Sequence, residues 1–322
     1  MPAVSLREIL QPAFAARYGV GAFNIVNDLT MAAVLDAAVE ARSPVIIQVS
    51  VKTVKMWGAK LLQQMFAEMA SHRPVPATLH LDHCPDIEVI KTCLNAGWNS
   101  ALFDASSLSY QDNLRLCQEV VAFAKKHGAG VEGELEAVRG IEDEVGSDVE
   151  GELVPVDRCI EFIEATGIDC FAPAIGTAHG LYKTEPKINF ERVEAIVARC
   201  PTPIVLHGGT GLSSGTFKKL IAAGCAKVNI STMLKITFAD SFKNYLAAKP
   251  KEYDPMKLQK AVHADLVNMA KGFMELSAAR EEPEERMDPA KQVHQCCTRQ
   301  SYSCSISFRR ADRRDLIHRL LT

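Results

Sequence analysis

Eight short runs of apolar and β-branched residues restrict the fold of this chain more than any other feature: Val20–Ile25, Pro44–Ser50, Ala77–Asp82, Ser100–Asp104, Gly130–Leu135, Ile168–Ala174, Pro203–His207 and Ala226–Ile230. Amphipathic stretches separate them, among them LTMAAVLDAAVEARS, LLQQMFAEMASH, DIEVIKTCLNAG and YQDNLRLCQEVVAFAKKHG. Their apolar residues recur at three- and four-residue spacing, and Gly97 and Gly128 stand where helices end, so each stretch is predicted to be a helix. Strands alternating with helices make a parallel sheet with covering helices, and eight strands is the number that closes a barrel. An open doubly wound sheet uses the same alternation, so the placement of polar residues has to decide between them.

Asn24, Ser50, Asp82 with His83, Asp104, Glu134, His207 and Asn229 each stand at or just beyond the C-terminal end of one run, and His179 follows the sixth by a short loop. In a closed barrel that end is where functional side chains converge. The expected fold is therefore α/β, a (β/α)8 TIM barrel. Residues 1–278 form the barrel domain with a C-terminal helical segment, and 279–322 form an unstructured extension. The extension begins near Glu281 with EEPEER, passes through a Ser/Cys/Gln stretch and reaches Arg309, Arg310, Arg313 and Arg314.

With 322 residues, 48% of them apolar, the chain can bury a large core. A net charge of −3 gives no general attraction to nucleic acid or to an anionic membrane, so an anionic ligand needs a local site. The opening MPAVSLREIL lacks the apolar run of a secretory signal, and a cytoplasmic location is expected. Of the ten cysteines none is paired in a CxxC motif, and those up to Cys225 read as small buried hydrophobes.

Catalytic zinc takes three protein ligands and keeps one position open, and imidazole suits it. His83, His179 and His207 supply three from three strand ends. The other six histidines lack that setting: His72 and His127 fall near helix ends, His263 in a late helix, and His294 and His318 in the extension, while His80 shares a strand face with Asp82. Asp104 and Glu134 are candidates for an alternate metal position or for hydrogen bonds to the ligands. Each of His179 and His207 is followed by Gly, in HGLYK and HGGTGLSSG, where backbone N–H groups can approach an anion closely. Gly180 and Lys183 in the first loop, Gly208, Gly209, Thr210 and Gly211 in the second, and Asn229, Ser231 and Thr232 at the end of the eighth run form the expected phosphate sites, with Asn24 and Ser50 as further candidates for substrate binding.

Taken together, LHLDHC, VEGELE, APAIGTAHGLYK, LHGGTGL and AKVNIST resemble the class II fructose-bisphosphate and tagatose-bisphosphate aldolases, in the family's order, from about Leu6 to about Leu276. The resemblance implies zinc on His83, His179 and His207, and Asp82 as the group that moves the hydroxyl proton at the carbon whose bond is cleaved. It also implies Glu142, in RGIEDEVGSD, as the base for the carbon-bound proton of dihydroxyacetone phosphate. Gly180, Lys183, Gly208, Ser231 and Thr232 match positions around a phosphate, and Asn229 one that contacts the enediolate or its phosphate. A monovalent cation, Na+ or K+, near the phosphate loops and a homodimer or homotetramer are implied too. On its own, Glu142 reads as part of a solvated acidic loop with Asp143 and Glu144.

The chain departs from the family's pattern at Ser231, where many fructose-specific members carry Asp, and this leaves the C4 stereochemistry of the sugar open. The expected substrates are a ketose 1,6-bisphosphate, fructose or tagatose, or a related phosphorylated ketose, together with the triose phosphates it yields. A metal-dependent hydrolase on the same barrel and a non-catalytic protein that binds a partner through its basic extension remain alternative readings.

Overall fold

The computed structural model describes residues 3–136, 140–142, 145–147, 153–182 and 184–278, with 140–142 and 145–147 in backbone alone. Lys183, the side chain of Glu142 and the 279–322 extension lie outside the described residues.

All eight apolar runs become strands. In chain order the strands are β1 (Val20–Asn24), β2 (Val45–Ser50), β3 (Ala77–Cys84), β4 (Ser100–Phe103), β5 (Gly130–Glu134), β6 (Gly140–Glu142), β7 (Val145–Ser147), β8 (Cys170–Ala172), β9 (Ile204–Leu206) and β10 (Cys225–Ile230). Eight of them close into a barrel in the order β1-β10-β9-β8-β5-β4-β3-β2. Every pairing between them is parallel, so the open-sheet alternative falls. The remaining two, β6 and β7, form an antiparallel pair with Ile141 opposite Gly146. The sequence reading treats that segment as loop, because three-residue strands carry too little pattern to register.

The four amphipathic stretches are helices at Asp28–Ala41, Ala59–Ser71, Ile87–Asn95 and Tyr110–Lys126. Gly97 and Gly128, just past two of them, take the left-handed backbone that ends a helix. Outside the strands, Phe66, Trp98, Phe162 and Phe217 are fully buried, and the Trp98 indole donates to the Ala59 carbonyl at 2.9 Å. The helix Pro255–Ala278 lies against Asp28–Ala41, where His263 Nε2 meets Asp36 Oδ2 at 2.9 Å.

A helix not anticipated from the sequence, Leu6–Ala16, starts at a Ser5–Glu8 capping box and closes the N-terminal end of the barrel. Its Leu6, Ile9, Leu10 and Ala13 pack with Val20, Ile46, Cys170 and Val205, at or near the starts of four strands. With that end plugged by apolar side chains, the C-terminal mouth is left for polar chemistry. The seven described cysteines are free and buried, as expected, and burial pushes the Cys84, Cys93, Cys117, Cys159 and Cys225 thiols up to about 12.

Candidate metal centre and active site

The mouth of the barrel depends on an irregularity in β3. Successive side chains of a strand point to opposite faces, so Asp82 and His83 should not both serve one site. The pairing of β3 with β4 slips between Leu81 and Cys84, and His83 adopts a left-handed backbone with φ 40°. Two residues of β3 thus stand against one of β4, a bulge that re-aims a side chain at a strand end. Asp82 and His83 both reach the mouth as a result.

His83, His179 and His207 come together there, with potential ligand nitrogens all within 4.8 Å of one another. Ring centroids are 4.8 Å apart for His83 and His207, 5.1 Å for His83 and His179, and 5.6 Å for His179 and His207. Two of the rings are held by carboxylates. His83 Nδ1 lies 2.8 Å from Asp104 Oδ2, and His207 Nε2 lies 2.9 Å from Glu132 Oε1. The opposite nitrogens, His83 Nε2 and His207 Nδ1, are buried with no hydrogen-bond partner. Buried imidazole nitrogens are rarely left in that state, and pairing each ligand's other nitrogen with a carboxylate is how histidine ligands of metals are oriented. The donor set therefore fits zinc.

A second possible ligand group, His83 with Asp104 and Glu134, overlaps the first. Glu134 Oε2 is 3.9 Å from both His83 Nδ1 and His207 Nδ1. Burial alone would lower the His83 pKa, yet Asp82, the Asp104 hydrogen bond and Glu134 together hold it well above the ordinary imidazole value. The same field favours a metal cation at this place. His207 behaves oppositely: burial depresses it to about 4 against the pull of Glu132, so its ring is neutral near pH 7 with a lone pair to offer.

Asp82 is the end of a hydrogen-bonded chain. Gln48 Nε2 donates to Asn24 Oδ1 at 2.8 Å, and Asn24 Nδ2 donates to Asp82 Oδ2 at 2.6 Å. This leaves Asp82 Oδ1 buried without a partner, one oxygen fixed and the other open. Ser50 stands opposite Asp82 in the β2–β3 ladder and caps the helix Val51–Trp57 through Thr53 N–H.

The two glycine loops are joined by Tyr182, which sequence reasoning did not single out. Its hydroxyl donates to the Gly208 carbonyl at 2.8 Å and accepts from Ala178 N–H at 3.0 Å. Gly208 has φ +67°, and a Cβ there would lie 2.3 Å from the Ala178 carbonyl oxygen, so the loops could not meet with any other residue. Beyond the loop, Thr210 Oγ1 accepts from Met233 N–H at 3.4 Å, near the start of the helix Thr232–Ala248. Ser231 precedes that helix with its hydroxyl buried and without a partner. Gly180, Gly208–Gly211, Asn229, Ser231 and Thr232 thus fall on the expected loops and strand end. Lys183 and the Glu142 side chain lie outside the described residues.

Glu142 ends β6 in backbone terms, and the base of its segment is held by another residue missed from sequence, Glu136. The Glu136 carboxylate accepts from Val154 N–H at 2.7 Å and Ala174 N–H at 3.0 Å, and pairs with buried Arg192. Lys227 was missed as well, and sequence reasoning offers Glu132 only as a fallback candidate for the base, with Glu134 and Asp104. The available signal was their spacing: each lies two residues before a site residue, Glu134 or Asn229, on the same strand face.

The chain matches the family described as fructose-bisphosphate aldolase class-II over residues 4–282. It is 42% identical over 261 residues to a Bacillus subtilis protein named "Probable fructose-bisphosphate aldolase", covering 80% of this chain and 91% of that one. It is 34% identical over 254 residues to the sulfofructosephosphate aldolase of Alkalicoccus urumqiensis, covering 79% and 88%. Among solved structures, the YdjI aldolase from Escherichia coli K12 superposes with a TM-score of 0.76 at 31% identity, covering 88% of this chain and all of the other.

Proposed function

The chain belongs to the class II fructose-bisphosphate aldolase family, and from that premise we propose that it is a zinc-dependent aldolase that reversibly cleaves fructose 1,6-bisphosphate to dihydroxyacetone phosphate and glyceraldehyde 3-phosphate. One observation carries the reading. Two buried imidazole nitrogens, His83 Nε2 and His207 Nδ1, lack partners on rings that gather with His179, and the neighbouring Asp82 keeps one buried oxygen open. When bound, zinc supplies Lewis-acid stabilisation of the charge that builds on the substrate oxygens as the carbon–carbon bond breaks.

The protein's own groups divide the remaining work. Asp82 Oδ1 takes the proton from the hydroxyl at the carbon being cleaved, while Asn24 keeps Oδ2 in place. Glu142 returns a proton to the carbon of the dihydroxyacetone phosphate half. Backbone N–H groups at Gly180 and Gly208–Gly211, the Ser231 and Thr232 hydroxyls and Lys183 hold the phosphates, with the N-terminus of Thr232–Ala248 adding its dipole.

Ser231 bears on the choice of ketose, since a neutral hydroxyl stands where a carboxylate would fix a sugar hydroxyl differently. The test compares kcat/KM for fructose 1,6-bisphosphate, tagatose 1,6-bisphosphate and 6-sulfofructose 1-phosphate on the zinc-loaded protein. A highest value for fructose 1,6-bisphosphate supports the proposal. Cleavage of either other ketose at a higher kcat/KM would replace the substrate, and cleavage of none would overturn the reading.

A further inference from the structure

Lys227 is fully buried, although an ammonium without partners in that setting is strongly disfavoured. Its Nζ lies 2.8 Å from Glu132 Oε2 and donates to Asn229 Oδ1 at 2.8 Å. β10, which carries Lys227, pairs only with β1 and β9, whereas Glu132 belongs to β5. Their contact therefore runs through the barrel lumen. Glu132 also spans to β9 and β3, with Oε1 at 2.9 Å from His207 Nε2 and Oε2 at 3.5 Å from His80 Nε2. The far side of His80 is fixed by Ser100 Oγ at 2.9 Å.

Both contacts of Lys227 have a direction. A carboxylate only accepts, so the proton of the His207 ring sits on Nε2 and the lone pair on Nδ1, the buried nitrogen without a partner. A lysine only donates, so the Asn229 oxygen faces Lys227 and its N–H2 group faces away. We propose that Lys227 is a positioning residue with two outputs: by pinning Glu132 it holds the His207 tautomer that offers Nδ1 to the metal, and by pinning Asn229 Oδ1 it turns the Asn229 amide donors to the substrate. The proposal rests on the reading of this mouth as a zinc and sugar-phosphate site. A lysine that merely filled the lumen would leave both outputs unchanged when replaced.

The first test needs no substitution that risks the fold. In metal-free protein labelled with 15N-histidine, with the His207 signals assigned against His207→Ala, the ring is expected to carry its proton on Nε2. A proton on Nδ1 overturns the proposal. Next, Lys227→Met, which conserves most of the volume, is expected to weaken zinc binding by about 10- to 100-fold in chelator competition, the size of effect seen for groups that orient ligands. Once saturated with zinc, it should also bind dihydroxyacetone phosphate more weakly than the parent. Glu132→Gln should weaken zinc in the same range but leave triose phosphate binding by the zinc-saturated protein at the parent's value, because the Lys227–Asn229 contact survives. Parental zinc and triose phosphate affinities in a folded Lys227→Met protein refute the inference. Failure of the parent itself to bind zinc would refute the metal reading instead, and the histidine tautomer would still be measured.

Discussion

The strand-borne and loop-borne halves of the site are built by different means. Asp82, His83, Asp104, Glu134, His207 and Asn229 sit at or beside strand ends, and three of them are held by buried neighbours: Asp82 by Asn24 and His207 by Glu132, each from a non-adjacent strand, and Asn229 by Lys227 two residues earlier on its own strand. His179, Gly180 and Gly208–Gly211 lie on loops whose relative position depends on one phenol, Tyr182, and on a left-handed glycine. A side chain on a strand inherits its direction from the ladder, while a loop residue inherits it from whichever hydrogen bonds close the loop. The first half, with two of the three metal ligands and Asp82, should therefore dominate metal binding and the hydroxyl proton transfer, and the second, which adds the ligand His179, the grip on phosphate.

That division predicts a ranking. The largest effect is expected from His207→Ala, which removes one of three ligands and should abolish both tightly bound zinc and cleavage while thermal unfolding stays cooperative. Its loss should exceed the roughly 10- to 100-fold typical of residues that only orient a ligand. Stoichiometric metal and near-normal turnover in this variant would take His207 out of the ligand set.

Next come the two proton transfers. Glu142→Ala should stop exchange of the carbon-bound proton of dihydroxyacetone phosphate with solvent. Asp82→Ala should abolish cleavage yet leave much of that exchange. Acid–base groups contribute about 10²- to 10⁴-fold, so both losses stand well above assay noise. Equal loss of exchange in the two variants would merge roles that are assigned separately here, and wild-type exchange in Glu142→Ala would return that residue to a solvated acidic loop.

The smallest effect is expected from Tyr182→Phe, which deletes the hydroxyl that ties Gly208 to Ala178. The two hydrogen bonds lost are worth about 1 kcal/mol each, so KM should rise by up to roughly 30-fold, by a larger factor than zinc affinity falls. A variant with parental KM but weakened zinc would reverse the division between the halves.

The same contrast explains what could be read from the sequence. The eight strands and the metal-side residues were legible because apolar periodicity marks a strand and its end marks the mouth, as at Ser50, Asp104 and His207. Three kinds of feature were not. The bulge that lets Asp82 and His83 share a site is a single backbone irregularity with no compositional mark. The lumen contacts of Glu132 and Lys227 need the ring order of β5 and β10, which periodicity does not supply. Glu142 was singled out by family resemblance alone, since the run of acids around it offers no choice among them.

The central claim, that three histidines hold a metal on which cleavage depends, is tested most directly by removing and restoring that metal. The protein is dialysed against a chelator, zinc is titrated back, and cleavage of fructose 1,6-bisphosphate is followed against zinc bound per chain. Activity should vanish with the metal and return in proportion to zinc, saturating at about one ion per chain, as a site with three protein ligands requires. Undiminished cleavage by the metal-free protein would contradict it.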